Sequence, residues 1–270
     1  MPEPQEFHAR MQGSRVLVTG AGTQGEGVGT GKAISVLMAA EGARVALLDL
    51  HAERAEETRA LIQARGGEAA VFSGDVTRPE DCQRMVDDAV AWLGGLDVLV
   101  NNVGMGAGMG RLEDMDLSAF RASVDINLSS ACFICKVAMP ALLAGDGKAI
   151  INIASIAGMR AHGAVGYGSA KAGLIQFTRE LAVIYGRDGI RANSIAPGHI
   201  YTPLVAGYAE AREVRRKIGP LGIEGDAWDV AQAALFLAGR EARFITGVCL
   251  PVDGGVSVIG PWAALGLVRD

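Results

Sequence analysis

Cysteine is scarce in this chain of 270 residues, and the four that occur are Cys82, Cys132, Cys135 and Cys249. Nothing in their spacing pairs them, which argues against a small secreted fold held together by disulfides. Cys132 and Cys135 form a Cys-x-x-Cys pair, but no second pair and no neighbouring histidine accompany it. A zinc or redox site is therefore not predicted, and we expect no metal and reduced thiols in the cytoplasm.

A strong excess of charge is also missing, because the net charge is only -5. This value gives no electrostatic reason to bind nucleic acid or an anionic membrane. The amino terminus has no apolar signal segment, and no apolar run is expected to approach the ~20 residues that a membrane helix needs. Half of the residues are hydrophobic and the 37 glycines are scattered through turns, which is typical of a globular protein of soluble metabolism.

A glycine-rich stretch follows the first apolar segment. Residues 15–19 (RVLVT) predict a strand, residues 20–31 contain the glycines, and residues 32–41 predict a helix with one apolar face. Glycines let the backbone turn tightly and approach a pyrophosphate, and the free N–H groups of a helix start favour an anion. Surface turns also collect glycine, but the position after a first strand favours a dinucleotide site.

Asp49 closes the second predicted strand, residues 44–50, at about the ~20-residue distance from the glycine turn expected of a ribose-binding acid. A carboxylate at this position accepts hydrogen bonds from a 2'-hydroxyl and repels a 2'-phosphate. The sequence therefore favours NAD over NADP. His51 and Arg54 follow, but neither stands directly after Asp49, where a phosphate-binding base would be most persuasive.

The segment 151–171 carries a hydroxyl, a phenol and an amine. Tyr167 and Lys171 are one helical turn apart, so the ammonium is expected to lower the phenol pKa from its usual value of ~10. Ser155 follows the apolar run 149–153 and is expected at the carboxyl end of a strand, where open α/β sheets bind ligands. Taken alone, the pair also fits a half-buried aromatic beside a solvated lysine.

These stretches resemble the marks of the short-chain dehydrogenase/reductase family. IASIAG followed by YGSAK is similar to its Ser and Tyr-x-x-x-Lys signature, NNVG at 101–104 to its Asn-Asn-Ala-Gly, and VDGG at 252–255 to its final motif. The closing Gly-x-Gly of its glycine motif could be Gly27/Gly29 or Gly29/Gly31. Residues 29–49 match the family without gaps, so we assign Gly29 and Gly31 and treat residues 24–28 as an insertion. It is either a harmless longer loop or an extra wrap around the phosphates.

The resemblance implies a role for each site residue. Tyr167 exchanges the hydroxyl proton, Lys171 lowers its pKa and binds the nicotinamide ribose, and Ser155 polarises the substrate oxygen. Asn127, inside a predicted helix over 117–143, would hold a water that relays protons to the lysine. The implied cofactor-binding residues are Gly20, Gly29, Thr30, Gly31, Asp49, Asp75, Val76, Asn102, Gly104, Tyr167, Lys171, Pro197, Gly198, Ile200 and Thr202.

The expected fold is a single α/β domain with a Rossmann-type, doubly wound parallel sheet of about seven strands and helices on both faces. We expect an N-terminal tail at 1–13, a catalytic domain at 14–255 and a C-terminal tail at 256–270 against a neighbouring subunit, with the tetramer usual in the family. Residues 204–221 are expected to form a mobile lid. His199 is expected only in the wall of the site.

The implied reaction is NAD-linked oxidation of a secondary alcohol. An NADPH-dependent ketoreductase of the 3-oxoacyl type and a nucleotide sensor without chemistry are the alternatives. The pocket is expected from residues 105–111, 157–166 and 204–223, whose Met, Ala and Gly suit a partly apolar, moderately bulky alcohol. No charged pair there demands a carboxylate or phosphate. Sugars, alicyclic alcohols and steroid-like rings all fit.

Overall fold

A computed structural model describes residues 9–203 and 212–269. Seven of the described strands form one fully parallel sheet, and two short strands form a second. In chain order the strands are β1 (Arg15–Thr19), β2 (Arg44–Asp49), β3 (Glu68–Ser73), β4 (Val98–Asn101), β5 (Ala149–Ile153), β6 (Arg191–Pro197), β7 (Ile200–Tyr201), β8 (Gly225–Asp226) and β9 (Cys249–Val252). The large sheet has the order β3-β2-β1-β4-β5-β6-β9, and β7 pairs with β8.

Helices cover both faces of the large sheet. They are α1 (Thr30–Ala40), α2 (Ala52–Gln63), α3 (Pro79–Leu93), α4 (Leu117–Val124), α5 (Ser130–Ala144), α6 (Val165–Tyr185), α7 (Arg212–Ile218), α8 (Ala227–Ala238) and α9 (Pro261–Arg269). Val16 and Val18 of β1 pack with α1 and α8 on one face. Leu17, between them, packs with α3 and α5 on the other. The predicted doubly wound sheet of seven parallel strands is confirmed.

The strand order places a crevice at the carboxyl ends of β1 and β4. The chain turns from β1 towards β2 on one side, whereas β4 leads to β5 on the other, so the connections leave in opposite directions. Open α/β sheets bind ligands at such a point because loops diverge there and leave space. The glycine-rich turn and the Asn-Asn pair both begin at this crevice.

One long helix carries a local irregularity. The predicted helix over 117–143 is present as α4 and α5, joined without a break by a π-helical turn at Asp125–Ser129. By length and composition the helical run Leu117–Ala144 could cross a membrane, although the charged residues Arg121, Asp125 and Lys136 interrupt it. Ile134 and Ala138 pack beneath the sheet in the second core cluster, as residues of a core helix do.

Two kinds of element differ from the sequence prediction. Helix α2 was not predicted, because it buries only Ala55, Thr58 and Ile62 and so has a weak apolar pattern. Strands β7 and β8 have two residues each, too few for a recognisable alternation. Of the predicted lid, α7 lies inside the described part of the chain and residues 204–211 lie outside it.

The ends of the predicted catalytic domain have contrasting environments. Residues 1–8 lie outside the described part, but Met11 is buried and its N–H donates to the carbonyl of Glu41 at 3.0 Å. At the other end α9 leaves Trp262 and Leu265 exposed. The domain boundaries at residues 13 and 255 and the subunit contact of the C-terminal tail stay predictions.

Candidate active site

A tight turn after β5 brings Ser155 against α6. Ser155 precedes a short 3-10 turn, Ile156–Gly158, and its hydroxyl accepts a hydrogen bond from the N–H of Ala157 at 3.1 Å. A Cβ added to Gly158 would lie 2.6 Å from the backbone carbon of Lys171. Glycine at 158 therefore allows the turn and α6 to touch, which sets the hydroxyl beside the helix that carries the phenol and the amine.

Lys171 is a buried amine without an acidic partner among the described residues. Its side chain is 2% exposed, and its Nζ donates to the carbonyl of Ile153, the last residue of β5, at 2.8 Å. Burial lowers the pKa of Lys171 to about 7, since a charged ammonium loses hydration inside the fold. The amine can therefore both release and take up a proton near neutral pH.

The phenol of Tyr167 has a pKa shift in the direction opposite to the one expected. Burial raises its pKa, and only the hydrogen-bonding contact with the Ser155 side chain lowers it. The Lys171 Nζ lies 5.9 Å from the centroid of the Tyr167 ring, in a cation–π position over the ring. The expectation from helical spacing was wrong in this respect because spacing does not reveal burial.

Asn127 lies in the π-helical turn and is held by the loop after β4. Its Oδ1 accepts from the N–H of Met105 at 3.1 Å, while its Nδ2 donates to the carbonyls of Met105 and Ser123, each at 2.9 Å. π-helical turns often occur at functional sites. Here the amide is fixed against the loop that leaves β4.

Gly104 separates Asn127 from Lys171. A Cβ added at Gly104 would lie 3.1 Å from the Lys171 Nζ and 3.2 Å from the Asn127 Oδ1. The amide and the amine thus approach a single point from two sides, and any larger residue would crowd both of them. This arrangement suits a proton path that leads away from the buried amine.

The glycine-rich turn closes on the start of α1. Gly20 has φ +62, in the left-handed region that glycine tolerates, and a Cβ at Gly31 would lie 2.0 Å from the Gly20 carbonyl oxygen. Gly29 is the N-cap of α1, and no side chain caps that helix. The first N–H groups of α1 can therefore face an anion such as a pyrophosphate. The residues present fit the phosphates of a dinucleotide.

Asp49 lies at the edge of the same turn. Its Oδ2 accepts from the N–H of Gly22 at 2.8 Å, and its Oδ1 accepts from the N–H of His51 at 3.0 Å. The carboxylate is thus beside the glycine turn, where the ribose of a dinucleotide would lie. Arg54 is also close, since a Cβ at Gly22 would lie 2.5 Å from the Arg54 Cβ.

The chain is similar to several known proteins. The family model described as "Enoyl-(Acyl carrier protein) reductase" matches residues 25–257. Cyclohexanol dehydrogenase of Acinetobacter sp. (strain SE19) is 37% identical over 239 residues, 88% of this chain and 92% of that protein. Cis-4-hydroxycyclohexanecarboxylate dehydrogenase of Sinomonas cyclohexanicum is 36% identical over 90% of this chain and 96% of its own length.

A solved structure is similar as well. A short-chain dehydrogenase/reductase of Burkholderia xenovorans superposes with a TM-score of 0.88 and 41% identity, covering 93% of this chain and 99% of its own. The chain belongs to the short-chain dehydrogenase/reductase family. It is accordingly an oxidoreductase that uses a nicotinamide cofactor, NAD(H) or NADP(H), and a small-molecule substrate.

The Asn-Asn motif of this short-chain dehydrogenase ties the crevice together. Asn102 donates from its Nδ2 to the carbonyls of Thr19 and Gly20 at 3.2 and 3.0 Å, and its Oδ1 accepts from the Thr30 hydroxyl at 2.7 Å. One amide therefore links β1, the glycine turn, α1 and β4. The amide of Asn102 thus fixes the turn on which a cofactor would rest.

Predicted residues from the end of β6 also reach the site. Gly198 leaves no room for a side chain, as its Cβ would lie 2.5 Å from the Cδ1 of Ile156 in the Ser155 turn. Ile200 and Thr202, which follow it in the chain, are buried.

Asp75 and Val76 follow β3, which is the strand at the opposite edge of the large sheet from β6 and β9. The Oδ1 of Asp75 accepts from both the N–H and the hydroxyl of Thr77.

Sequence reasoning missed a group of basic side chains on the rim. His199 has a left-handed φ of 55, rare outside glycine, and its Nδ1 donates to the carbonyl of Arg215 at 3.0 Å. Burial is the main reason that its pKa is lowered, and the charges of Arg215, His162 and Arg160 add to the shift. One signal was available: no acidic residue occurs between 154 and 170 to pair with Arg160.

Proposed function

We propose that this enzyme oxidises a secondary alcohol to a ketone with NAD as the hydride acceptor. The observation that carries the proposal is the close approach of the Ser155 turn to α6, at Gly158 and Lys171, with the Lys171 amine over the ring of Tyr167 on the same helix. A phenol, a hydroxyl and an amine with a pKa of about 7 together form a proton-handling set in a buried place.

Each residue has a defined task in this mechanism. Tyr167 takes the hydroxyl proton of the alcohol, and the Ser155 hydroxyl donates a hydrogen bond to the same substrate oxygen. Lys171 accepts the proton in turn and passes it towards Asn127, across the gap at Gly104. The chemistry that NAD would supply when bound is hydride acceptance from the carbinol carbon. The protein thus supplies position and a route for the proton.

The choice of NAD rests on Asp49. Its carboxylate lies at the glycine turn and would accept hydrogen bonds from ribose hydroxyls, whereas a 2'-phosphate would meet its negative charge. The residues that would hold NAD are those expected from the sequence, from Gly20 to Thr202. An NADPH-dependent ketoreductase is the alternative, because Arg54 lies beside the same turn.

The pocket favours an alicyclic alcohol. Three methionines of the predicted pocket segments, Met105, Met109 and Met159, expose large apolar side chains. Methionine adapts to rings of varied shape. The two relatives named above act on cyclohexanol and on a hydroxycyclohexanecarboxylate, so a six-membered ring alcohol is the first substrate to test.

We also infer a homo-oligomer, with a tetramer as the specific expectation. Val258, Trp262 and Leu265 in the C-terminal segment expose apolar side chains, and Trp262 is 89% exposed. A second subunit would cover such a surface. Light scattering after size exclusion would give the mass of the assembly, and a monomer would contradict this inference. The cytoplasmic location remains a prediction.

The proposal is tested first by cofactor binding and then by turnover. The protein is titrated with NADH and with NADPH by fluorescence, and cyclohexanol is then offered with NAD while NADH formation is followed. We expect tighter binding of NADH and oxidation of cyclohexanol. Tighter binding of NADPH would overturn the role of Asp49. Binding without oxidation of any alcohol in a panel of cyclic substrates would favour the non-catalytic sensor.

A further inference from the structure

Arg160 is a half-buried arginine without a partner beside the catalytic turn. It follows the 3-10 turn after Ser155, and its N–H donates to the carbonyl of Ile156 at 3.2 Å. Its Nε is fully buried, yet it has no hydrogen-bond partner within residues 9–203 and 212–269. Over the same ranges the guanidinium forms no ion pair. A buried donor of a charged group is costly to leave unpaired and calls for an explanation. The Nε atoms of Arg10 and Arg44 also have no partner, but their guanidinium groups pair with Glu41 and Glu68, whereas that of Arg160 does not pair with a carboxylate in the described ranges.

The surroundings of Arg160 add positive charge. Arg160, His162 and Arg215 all act electrostatically on His199, so these four side chains share one region of the rim. The guanidinium of Arg215 donates to the carbonyl of Ile200 at 3.3 Å and meets no carboxylate in the described parts of the chain. The rim is thus locally basic in a protein whose net charge is -5.

The other arginines of α7 have a different environment. Arg212 pairs with Glu224, and Arg216 pairs with Glu213 through its Nε and Nη2. Arg215, between them, contacts His199 through its backbone carbonyl and Ile200 of β7 through its guanidinium. Arg212 also lies over the ring of Tyr201 in β7, with its Cζ 3.7 Å from the ring centroid, but Glu224 neutralises its charge. Arg160 and Arg215 are therefore the arginines that add net positive charge near His199.

We propose that the substrate carries a carboxylate and that Arg160 binds it, with Arg215 adding to the positive potential. This rests on the proposed function, because the same molecule must present its carbinol to Ser155 and Tyr167. A guanidinium matches a carboxylate with two parallel hydrogen bonds. Of the Arg160 nitrogens only Nε is enclosed, so the two terminal Nη groups are the donors that a carboxylate would reach. The substrate class is then an alicyclic hydroxy acid.

Steady-state kinetics on a matched pair of substrates test the proposal. The ratio of kcat/KM for 4-hydroxycyclohexanecarboxylate to that for cyclohexanol is measured with NAD in the wild type and in Arg160→Gln, Arg160→Lys and Arg187→Gln. The wild type should prefer the acid, and R160Q should lower the ratio about 10- to 100-fold, mainly through KM for the acid. R160K should retain part of the preference.

Arg187→Gln is the matched control. Arg187 is exposed beyond the end of α6, so R187Q removes the same charge from the protein without touching the rim. It should leave the ratio unchanged. A wild type that prefers cyclohexanol, or an R160Q ratio equal to that of R187Q, would overturn the proposal. Circular dichroism of each variant checks that the fold is intact.

A binding measurement separates this inference from the proposed reaction. Cyclohexanecarboxylate has no hydroxyl to oxidise, and its affinity is measured by calorimetry in the presence of NAD. It should bind the wild type and R187Q with equal affinity, and its dissociation constant for R160Q should be higher by about 10-fold or more. If R160Q binds cyclohexanecarboxylate more weakly but the wild type oxidises neither alcohol, the anion site is supported and the proposed reaction is overturned. Equal affinity in R160Q and the wild type would overturn the anion site alone.

Discussion

The Lys171 ammonium donates a 2.8 Å hydrogen bond to the carbonyl oxygen of Ile153, at the very end of β5. A neutral carbonyl replaces only part of the hydration that a cation loses on burial. The pKa of Lys171 is accordingly lowered to about 7. The fold therefore holds, near the ring of Tyr167, an amine that destabilises the folded state when it is protonated.

Replacing that amine should stabilise the protein while abolishing its activity. Each unit of pKa depression corresponds to about 1.4 kcal/mol, and the lost hydrogen bond to Ile153 costs about 1–3 kcal/mol. Lys171→Met should therefore raise the free energy of unfolding at pH 7 by about 1–3 kcal/mol. Urea unfolding measures this change. A less stable K171M would contradict the account of the buried amine.

The same variant should change how stability depends on pH. Between about pH 7 and the usual lysine value of 10.5, the unfolded chain binds a proton at Lys171 that the folded chain has released. The wild type is therefore expected to gain stability from this group as the pH rises through that window. Lys171→Met should lack this contribution. Unfolding curves recorded across the window test the sign directly.

Removing the serine hydroxyl should move the pH profile of alcohol oxidation upwards. The Ser155 contact lowers the pKa of Tyr167, while burial raises it. Oxidation needs the deprotonated phenol, so Ser155→Ala should shift the rising limb of kcat to higher pH and slow the reaction about 100-fold. Ser169 is an exposed serine on α6, the helix that carries Tyr167, and Ser169→Ala should change neither the pH profile nor the rate. If the rising limb of kcat in S155A lies at the same pH as in the wild type, Ser155 does not lower the pKa of Tyr167.

The carboxylate at the end of β2 should decide between the two cofactors. Asp49→Asn keeps the size of the side chain but removes its charge, so NADH should bind more weakly and NADPH should no longer be repelled. The ratio of the two dissociation constants should narrow about 10- to 100-fold. Asp88→Asn, an exposed change in α3, is the control. An unchanged ratio in D49N would assign the selection to another residue.

An added methyl group should be tolerated at a glycine that faces open space and should be harmful at a glycine in close contact with the backbone. At Gly31 a Cβ would lie 2.0 Å from the Gly20 carbonyl oxygen, whereas at Gly106 it would meet nothing within 4 Å. Gly31→Ala should therefore lower the free energy of unfolding by about 1–3 kcal/mol and weaken cofactor binding. Gly106→Ala should be neutral in both respects. Equal behaviour of the two variants would count against the tight closure of the turn.

The sequence predicts the sheet well because its strands are buried on both faces and read as short apolar runs. Leu17 and Val18 illustrate this, since each packs on a different face yet both are apolar. The i and i+4 spacing of Tyr167 and Lys171 places them correctly on one helix. The π-helical turn at Asn127 could not be predicted, because a π-turn and an α-helix share the same residue preferences.

Other features depend on contacts between distant parts of the chain. The raised pKa of Tyr167 results from burial, which helical spacing does not encode. The basic rim combines Arg160, from the turn after β5, with Arg215, from α7, and only the folded chain brings them around His199. Helix α2 escaped prediction because its buried stripe is narrow and includes a threonine, Thr58, whose hydroxyl bonds to the Ala21 carbonyl.

The most direct test of the catalytic assignment is the rate of cyclohexanol oxidation by Tyr167→Phe with NAD. The variant keeps the ring that packs near Lys171 and removes only the hydroxyl. We predict that kcat falls about 100- to 10,000-fold while NADH affinity and the unfolding midpoint stay close to those of the wild type. Full activity in Y167F would contradict the assignment of Tyr167 as the residue that takes the hydroxyl proton.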